Sequence, residues 1–186
     1  MDLTLLVVGL LVVVLAATAY LALTYNRLVT LRNRCENAWA QIDVQLRRRY
    51  DLIPNLVATV KGYAAHERET LERVVAARDA AMSATGTEER SAAENALTGT
   101  LKTLFAVAEA YPDLKANASF LDLQAQLTDT EGKIAYARQF FNDSVMSLNM
   151  AIQQFPANML APVFGFRARA YFEIEAVAKE PVSVAL

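Results

Sequence analysis

The chain holds one histidine, His66, and one cysteine, Cys35. That inventory limits its chemistry at once. An internal disulfide cannot form, and a metal site built from several Cys and His ligands cannot be assembled. His66-Glu67-Arg68-Glu69 invites a metal reading, but a helical ligand pair needs three- or four-residue spacing and position 70 is Thr. Without a second histidine, His66 reads as a solvated helix residue. A Ser, Thr or Cys nucleophile would have only this His as base. No phosphate-cradling glycine loop, dinucleotide-binding turn or nucleophile elbow occurs in the sequence. The expectation is no catalytic residue, no metal ligand and no cofactor.

Two charged groups remain. Arg47-Arg48-Arg49 could hold an anion, but Asp43 and Asp51 flank it at helical i,i+4 spacing from Arg47, which reads as a solvated or intersubunit face. With 18 basic and 20 acidic residues the net charge is −2, so no strong field favours nucleic acid. Glu131 and Arg138 lie a heptad apart along an apolar seam, with Asn142 a turn later and Glu109 at the end of the preceding helix. These four form a candidate polar layer, read first as a register-fixing element and second as a ligand pocket.

What must position such residues is helical. Residues 3–23, LTLLVVGLLVVVLAATAYLAL, run for 21 positions without a charge. As a helix they span about 31 Å, the thickness of a bilayer's hydrocarbon core, with Leu3, Leu10, Leu15 and Leu23 in the span. Asp2 precedes them, and Arg27, Arg32 and Arg34 follow. Basic residues tend to stay cytoplasmic, which predicts the N-terminus outside and the body inside. A cleaved signal peptide ending near Ala17-Thr18-Ala19 is the alternative; the missing basic n-region and the long apolar run oppose it.

After residue 24, apolar residues recur at helical spacing: Leu28, Leu31, Cys35, Ala38, Ile42, Leu46, Tyr50, Ile53, Val57, Val60, Ala64. The stripe keeps its register across Pro54, which predicts one long, Pro-kinked helix to about Ser83. Gly86 and Thr87, as stop and N-cap, open a second helix carrying Leu97, Leu101, Leu104, Ala108 and Tyr111, which stops at Pro112. Ser119, with Asp122 three residues on, is the expected cap of a third helix that carries Phe120, Leu123, Leu127, Ile134, Phe141, Val145, Leu148 and Ile152 to Phe155-Pro156. Beyond it, an aromatic segment broken by Pro162 and Gly165 reads as a short capping helix or, given Arg167 and Arg169 among aromatics, as an interfacial or partner-binding segment. The fold class is all-α: a transmembrane anchor (1–24), a helical bundle (25–178) and a flexible tail (179–186).

The stretches YNRLVTLRNRCENAWAQIDVQLRRRYDLIPNLVATVKGYAAHE, AVAEAYPDLKANASFLDLQAQL, TEGKIAYARQFFNDSV and LNMAIQQFP occur in that order and cover most of the chain beyond the anchor. Together they resemble the LemA family of bacterial membrane proteins. The resemblance implies an elongated antiparallel bundle on a single-pass anchor in the cytoplasmic (inner) membrane, with no agreed enzymatic activity. It also implies an association with membrane-protease or envelope genes, and a relative that takes part in building the magnetosome membrane. Cys35 stands where the family usually has a small aliphatic residue, which suggests packing rather than chemistry.

A 59-residue first helix would outrun its partners and leave Leu28, Leu31, Cys35, Trp39 and Ile42 short of cover. These residues are therefore a candidate oligomer interface, and the leading expectation is a self-assembling, membrane-anchored scaffold of the envelope. The alternatives are an adaptor for a membrane protease or other envelope partner, and a metal or ligand sensor using the polar layer.

Overall fold

The computed structural model describes residues 3–173. The expected tail (179–186) and Asp2 lie outside the described residues. Among the described residues the chain forms helices and no strand: α1 (Leu3–Tyr63), α2 (Arg68–Ser83), α3 (Thr87–Ala108), α4 (Pro112–Lys115), α5 (Ala118–Gln153) and α6 (Ala157–Leu160). The all-α expectation holds.

α1 is 61 residues long and runs unbroken from the apolar stretch through Pro54. Its first part is long and apolar enough to cross a membrane, and none of that window is buried. Leu3, Leu10, Leu15 and Leu23 are all more than half exposed. Cover begins at Thr24 and Leu28. A helix that is apolar on every side and packed on none has no stable home in water.

Two compact units follow from the contacts. Of the described residues, one unit comprises 3–39 and 140–169; the other comprises 40–139 and 170–173. In the first unit α1 lies antiparallel to the end of α5: Leu28 clusters with Ala151, and the Trp39 and Phe141 rings meet edge to face at 5.3 Å. The segment after α5 turns back along α1, placing Ala161 and Phe166 on Leu28. Asn149 clamps its end, donating to the Arg169 carbonyl and accepting from the Arg169 N–H, each at 2.9 Å. The capping helix expected here is only the four-residue α6; the rest of the cover is a turn over 161–165 and irregular chain after it.

In the second unit α1, α2, α3 and α5 form a bundle. α2 returns antiparallel to α1, with the Tyr50 hydroxyl 3.3 Å from the Ala81 carbonyl. α3 runs parallel to α1, since Arg90 pairs with Asp43 at 3.0 Å and the Tyr111 hydroxyl reaches Glu67 at 3.0 Å. α5 descends from Asn117, which donates to the Tyr63 hydroxyl.

The expected helix to Ser83 is therefore corrected. The chain turns at residues 64–67, where the Glu67 N–H bonds the Ala64 carbonyl. Those residues carry no strong local stop, and two antiparallel helices sharing one core show the same periodicity as one long helix. The packing of α2 on α1 decides it.

Pro54 breaks nothing, for a specific reason. Its missing N–H would orphan the carbonyl of Tyr50, four residues back. Arg78 of α2 donates its Nε–H to that oxygen at 2.9 Å. Two caps also differ from expectation. Asn117, not Ser119, caps α5 by accepting from the Phe120 N–H at 3.0 Å. Thr87 is the first residue of α3 and not its cap; Gly86 precedes it with φ +77, in the left-handed region that favours glycine.

Candidate functional site

Among the described residues, the second unit holds a buried charge cluster. Arg49 sits on α1 between Leu46 and Ile53, on the interior stripe, and is fully buried. Its guanidinium donates to the carboxylates of Glu94 on α3 and Glu131 on α5. It also donates to Thr98 Oγ1 at 3.0 Å and to the Glu94 carbonyl at 3.3 Å. Glu94, equally buried, takes a further hydrogen bond from the Tyr50 hydroxyl. One arginine thus ties three helices, and Tyr50 extends the network to α2 through Ala81.

Arg138 stands beside this cluster on α5. Its guanidinium lies over the Phe172 ring, 4.5 Å from the centroid, a cation–π contact made where water is scarce. Burial, then the nearby Arg49 charge, pull its pKa below the ordinary value, and Glu94 and Glu131 act in the opposite sense. Burial and the hydrogen bond to Glu94 push Tyr50 upward, so its hydroxyl keeps its proton. Two arginines and two glutamates balance in charge, and Arg49 is closed off from solvent. A buried pair of this kind is weak evidence for stability in itself, but removing one partner leaves the other as an uncompensated charge.

The expected polar layer is thereby redrawn. Glu131 and Arg138 belong to it, and Glu131 is on its rim, with a side chain 35% exposed. Glu109 does not: it is exposed at the end of α3 and pairs with Lys115. Asn142 falls in the other unit. Arg49, Glu94, Tyr50 and Thr98 were missed. The signal existed, since Arg49 and Glu94 both occupy apolar-stripe positions, three or four residues from Leu46, Ile53 and Leu97. Arg47 keeps its expected partner, Asp43, at 2.8 Å.

The residues of the candidate oligomer stripe are placed inside the chain's own packing to differing degrees. Leu28, Cys35 and Ile42 are buried within the chain, and Leu31 and Trp39 are half-buried. The cover that sequence periodicity could not supply comes from α5 and, at Leu28, from the returning C-terminal segment. Burial raises the Cys35 thiol pKa above its usual value. His66 is exposed, and among the described residues no group of three or more His, Cys, Asp or Glu could hold a metal.

Comparison with known proteins follows the same lines. The LemA family model matches residues 38–186. Magnetosome protein MamQ of Magnetospirillum gryphiswaldense is 27% identical over 188 residues, covering 87% of this chain and 69% of its own length. Magnetosome protein MamQ 2 of Paramagnetospirillum magneticum is 24% identical, covering 91% and 72%. Protein LemA of Metamycoplasma hominis is 25% identical, covering 84% and 72%. With four fifths of its length matched by the family model and an N-terminal helix of membrane-spanning character, this bacterial chain belongs to the LemA family.

Proposed function

We propose that the protein is a single-pass, membrane-anchored scaffold or interaction protein of the bacterial envelope that assembles with copies of itself or with an envelope partner and performs no catalysis of its own. One observation carries this reading. The apolar span and the packed part of the first unit's α1 are a single uninterrupted helix, so a bilayer holds that unit without a flexible linker. The Arg49–Glu94 pair supports it, because both side chains are fully buried and the guanidinium is shared between Glu94 and Glu131.

The inner membrane, with the body cytoplasmic, is the favoured placement. Arg27, Arg32 and Arg34 follow the span, and the fold brings Arg169 to the same end of α1, where it pairs with Glu36 at 2.9 Å. Self-assembly in this reading uses the lipid-facing helix or exposed surfaces and not the buried Cys35 stripe. Purification of the native protein from carbonate-washed membranes, followed by particle imaging and mass measurement, tests it. Retention in the pellet and a discrete assembly, of self or with a stoichiometric partner, are expected. Release by carbonate, or a solitary chain under native conditions, would overturn it.

A second reading, an adaptor for a membrane protease or other envelope protein, is favoured by an exposed groove in the second unit. Val44 and Tyr136 line it, 61% and 72% exposed, with a volume near 510 Å³ and Gly132 leaving its floor open. A foreign partner lost on Tyr136→Ser would select this reading over self-assembly.

A further inference from the structure

The turn that joins α5 to the returning C-terminal segment exposes large apolar side chains that its own unit does not cover. Phe155 is 80% exposed, Met159 67% and Val163 78%. Met150 and Phe164, in the same stretch of chain, are 51% and 41% exposed. A lone exposed Leu needs no explanation, but five large apolar groups within fifteen residues form a patch.

The position of this patch on α1 identifies what meets it. Phe155 and Gln154 line a cavity of about 230 Å³ together with Tyr20, Leu23, Thr24, Arg27 and Leu28. The Phe164 ring packs edge to face on Tyr25 at 5.2 Å, and Phe166 lies beneath the Arg32 guanidinium at 5.4 Å. The turn therefore sits beside the last turn of the apolar span, and the chain leaves it running away from that span. If residues 3–23 cross a hydrocarbon core, the level of Tyr20 to Leu23 is its edge, and Phe155 is at that edge too.

Charge agrees with this placement. No acidic residue occurs between Leu3 and Cys35, nor between Ser144 and Phe172. Those two stretches, which pack on each other, carry Arg27, Arg32, Arg34 and Arg167, besides Arg169, which is paired with Glu36, in a chain whose net charge is −2. An apolar tip backed by a belt of arginines and tyrosines is the arrangement that seats a segment in an anionic interface.

We propose that residues 154–164 form a second membrane contact, an apolar elbow in which Phe155, Met159 and Val163 enter the bilayer interface beside the anchor while the arginines above them meet lipid phosphates. This rests on the anchor reading and adds to it: helix and elbow together fix tilt and rotation, which one spanning helix leaves free.

The test is depth-dependent quenching of the full-length chain in nanodiscs at one chain per disc, so that no second copy can supply cover. In a Trp39→Phe background, tryptophan is placed in turn at Phe155, Met159, Leu10 and Tyr136. Phosphatidylcholine brominated near either end of its acyl chain is the quencher from the lipid side, and iodide from water. Tryptophan at 155 and 159 is expected to be blue-shifted and quenched about twofold or more by shallow bromines, as for a group about 5–10 Å inside the boundary. Tryptophan at Tyr136 should respond to iodide alone. Lipid quenching at Leu10 with water-like, iodide-quenched emission at both 155 and 159 would overturn the elbow and spare the anchor. Loss of lipid quenching at Leu10 would overturn both.

Discussion

Arg49 is a residue whose removal should cost the fold heavily. Its guanidinium is the shared donor for Glu94 and Glu131, and Glu94 has no exposure with which to recover water. Arg49→Met should therefore cost about 3–5 kcal/mol, most of it the penalty of leaving Glu94 charged and unpaired. Pairing it with Glu94→Leu should restore much of the loss, because Glu131 is partly exposed and can hydrate. Urea unfolding of the detergent-solubilised chain measures both; a silent single variant would refute the network. Tyr50 supplies a pH test. Its hydroxyl is pushed up by burial and by Glu94, so the native state holds this proton where the unfolded chain releases it. A raised pKa contributes stability that is complete below the unfolded value, about 10, and is lost as pH rises above it. Tyr50→Phe should be less stable at neutral pH, because Glu94 loses a donor, yet show a shallower decline above about pH 10. Thermal midpoints across that range decide it, and parallel curves would count against a buried, protonated Tyr50.

At the scale of elements, Pro54 and Arg78 form a coupled pair across α1 and α2. The proline removes a donor from Tyr50's carbonyl and the arginine replaces it at 2.9 Å. Arg78→Met should cost about 1–3 kcal/mol by orphaning that oxygen. In a Pro54→Ala background the residue-54 N–H takes the bond, so the same change should cost at least about 1 kcal/mol less. Strict additivity in this double-mutant cycle would refute the substitution of one donor for the other. The pair also shows where sequence reasoning reached its limit. The stripe through Leu28, Ile42 and Ile53 and the faces of α3 and α5 were legible, because periodicity reports burial. The turn at 64–67 was not, because its residues have no strong local signature and the contacts that fold α2 back, such as Tyr50 against Ala81, lie 31 positions apart in the chain. Arg49 was hidden by its neighbours. Arg47 and Arg48 are exposed and set the expectation for all three, although only Arg49 occupies a stripe position.

For the molecule as a whole, the question is what keeps the interior of the anchor-bearing unit closed, and the answer is the chain after α5. Ala161 and Phe166 cover Leu28, and Asn149 holds the backbone of Arg169, whose side chain reaches Glu36 beside Cys35. Cys35 has no exposure, and burial is the largest influence raising its thiol pKa, with Arg169 pulling the other way. In the intact chain the thiol should therefore resist maleimide and should give no disulfide-linked dimer in oxidised membranes. A chain ending after Leu160 loses the cover of Leu28, two turns of α1 before Cys35, and loses Arg169. Losing the arginine raises the pKa and losing the cover lowers it; burial is the larger, so reactivity should rise, by about tenfold or more as local opening becomes cheap. Asn149→Ala, which removes only the two clamp bonds, should move reactivity in the same direction while circular dichroism still reports full helicity. Stopped-flow thiol labelling in detergent micelles gives all three rates. Equal rates for the intact and shortened chains would show that the C-terminal segment does not seal this unit. A Cys35 disulfide dimer from the intact chain would place that stripe at an interface between copies after all.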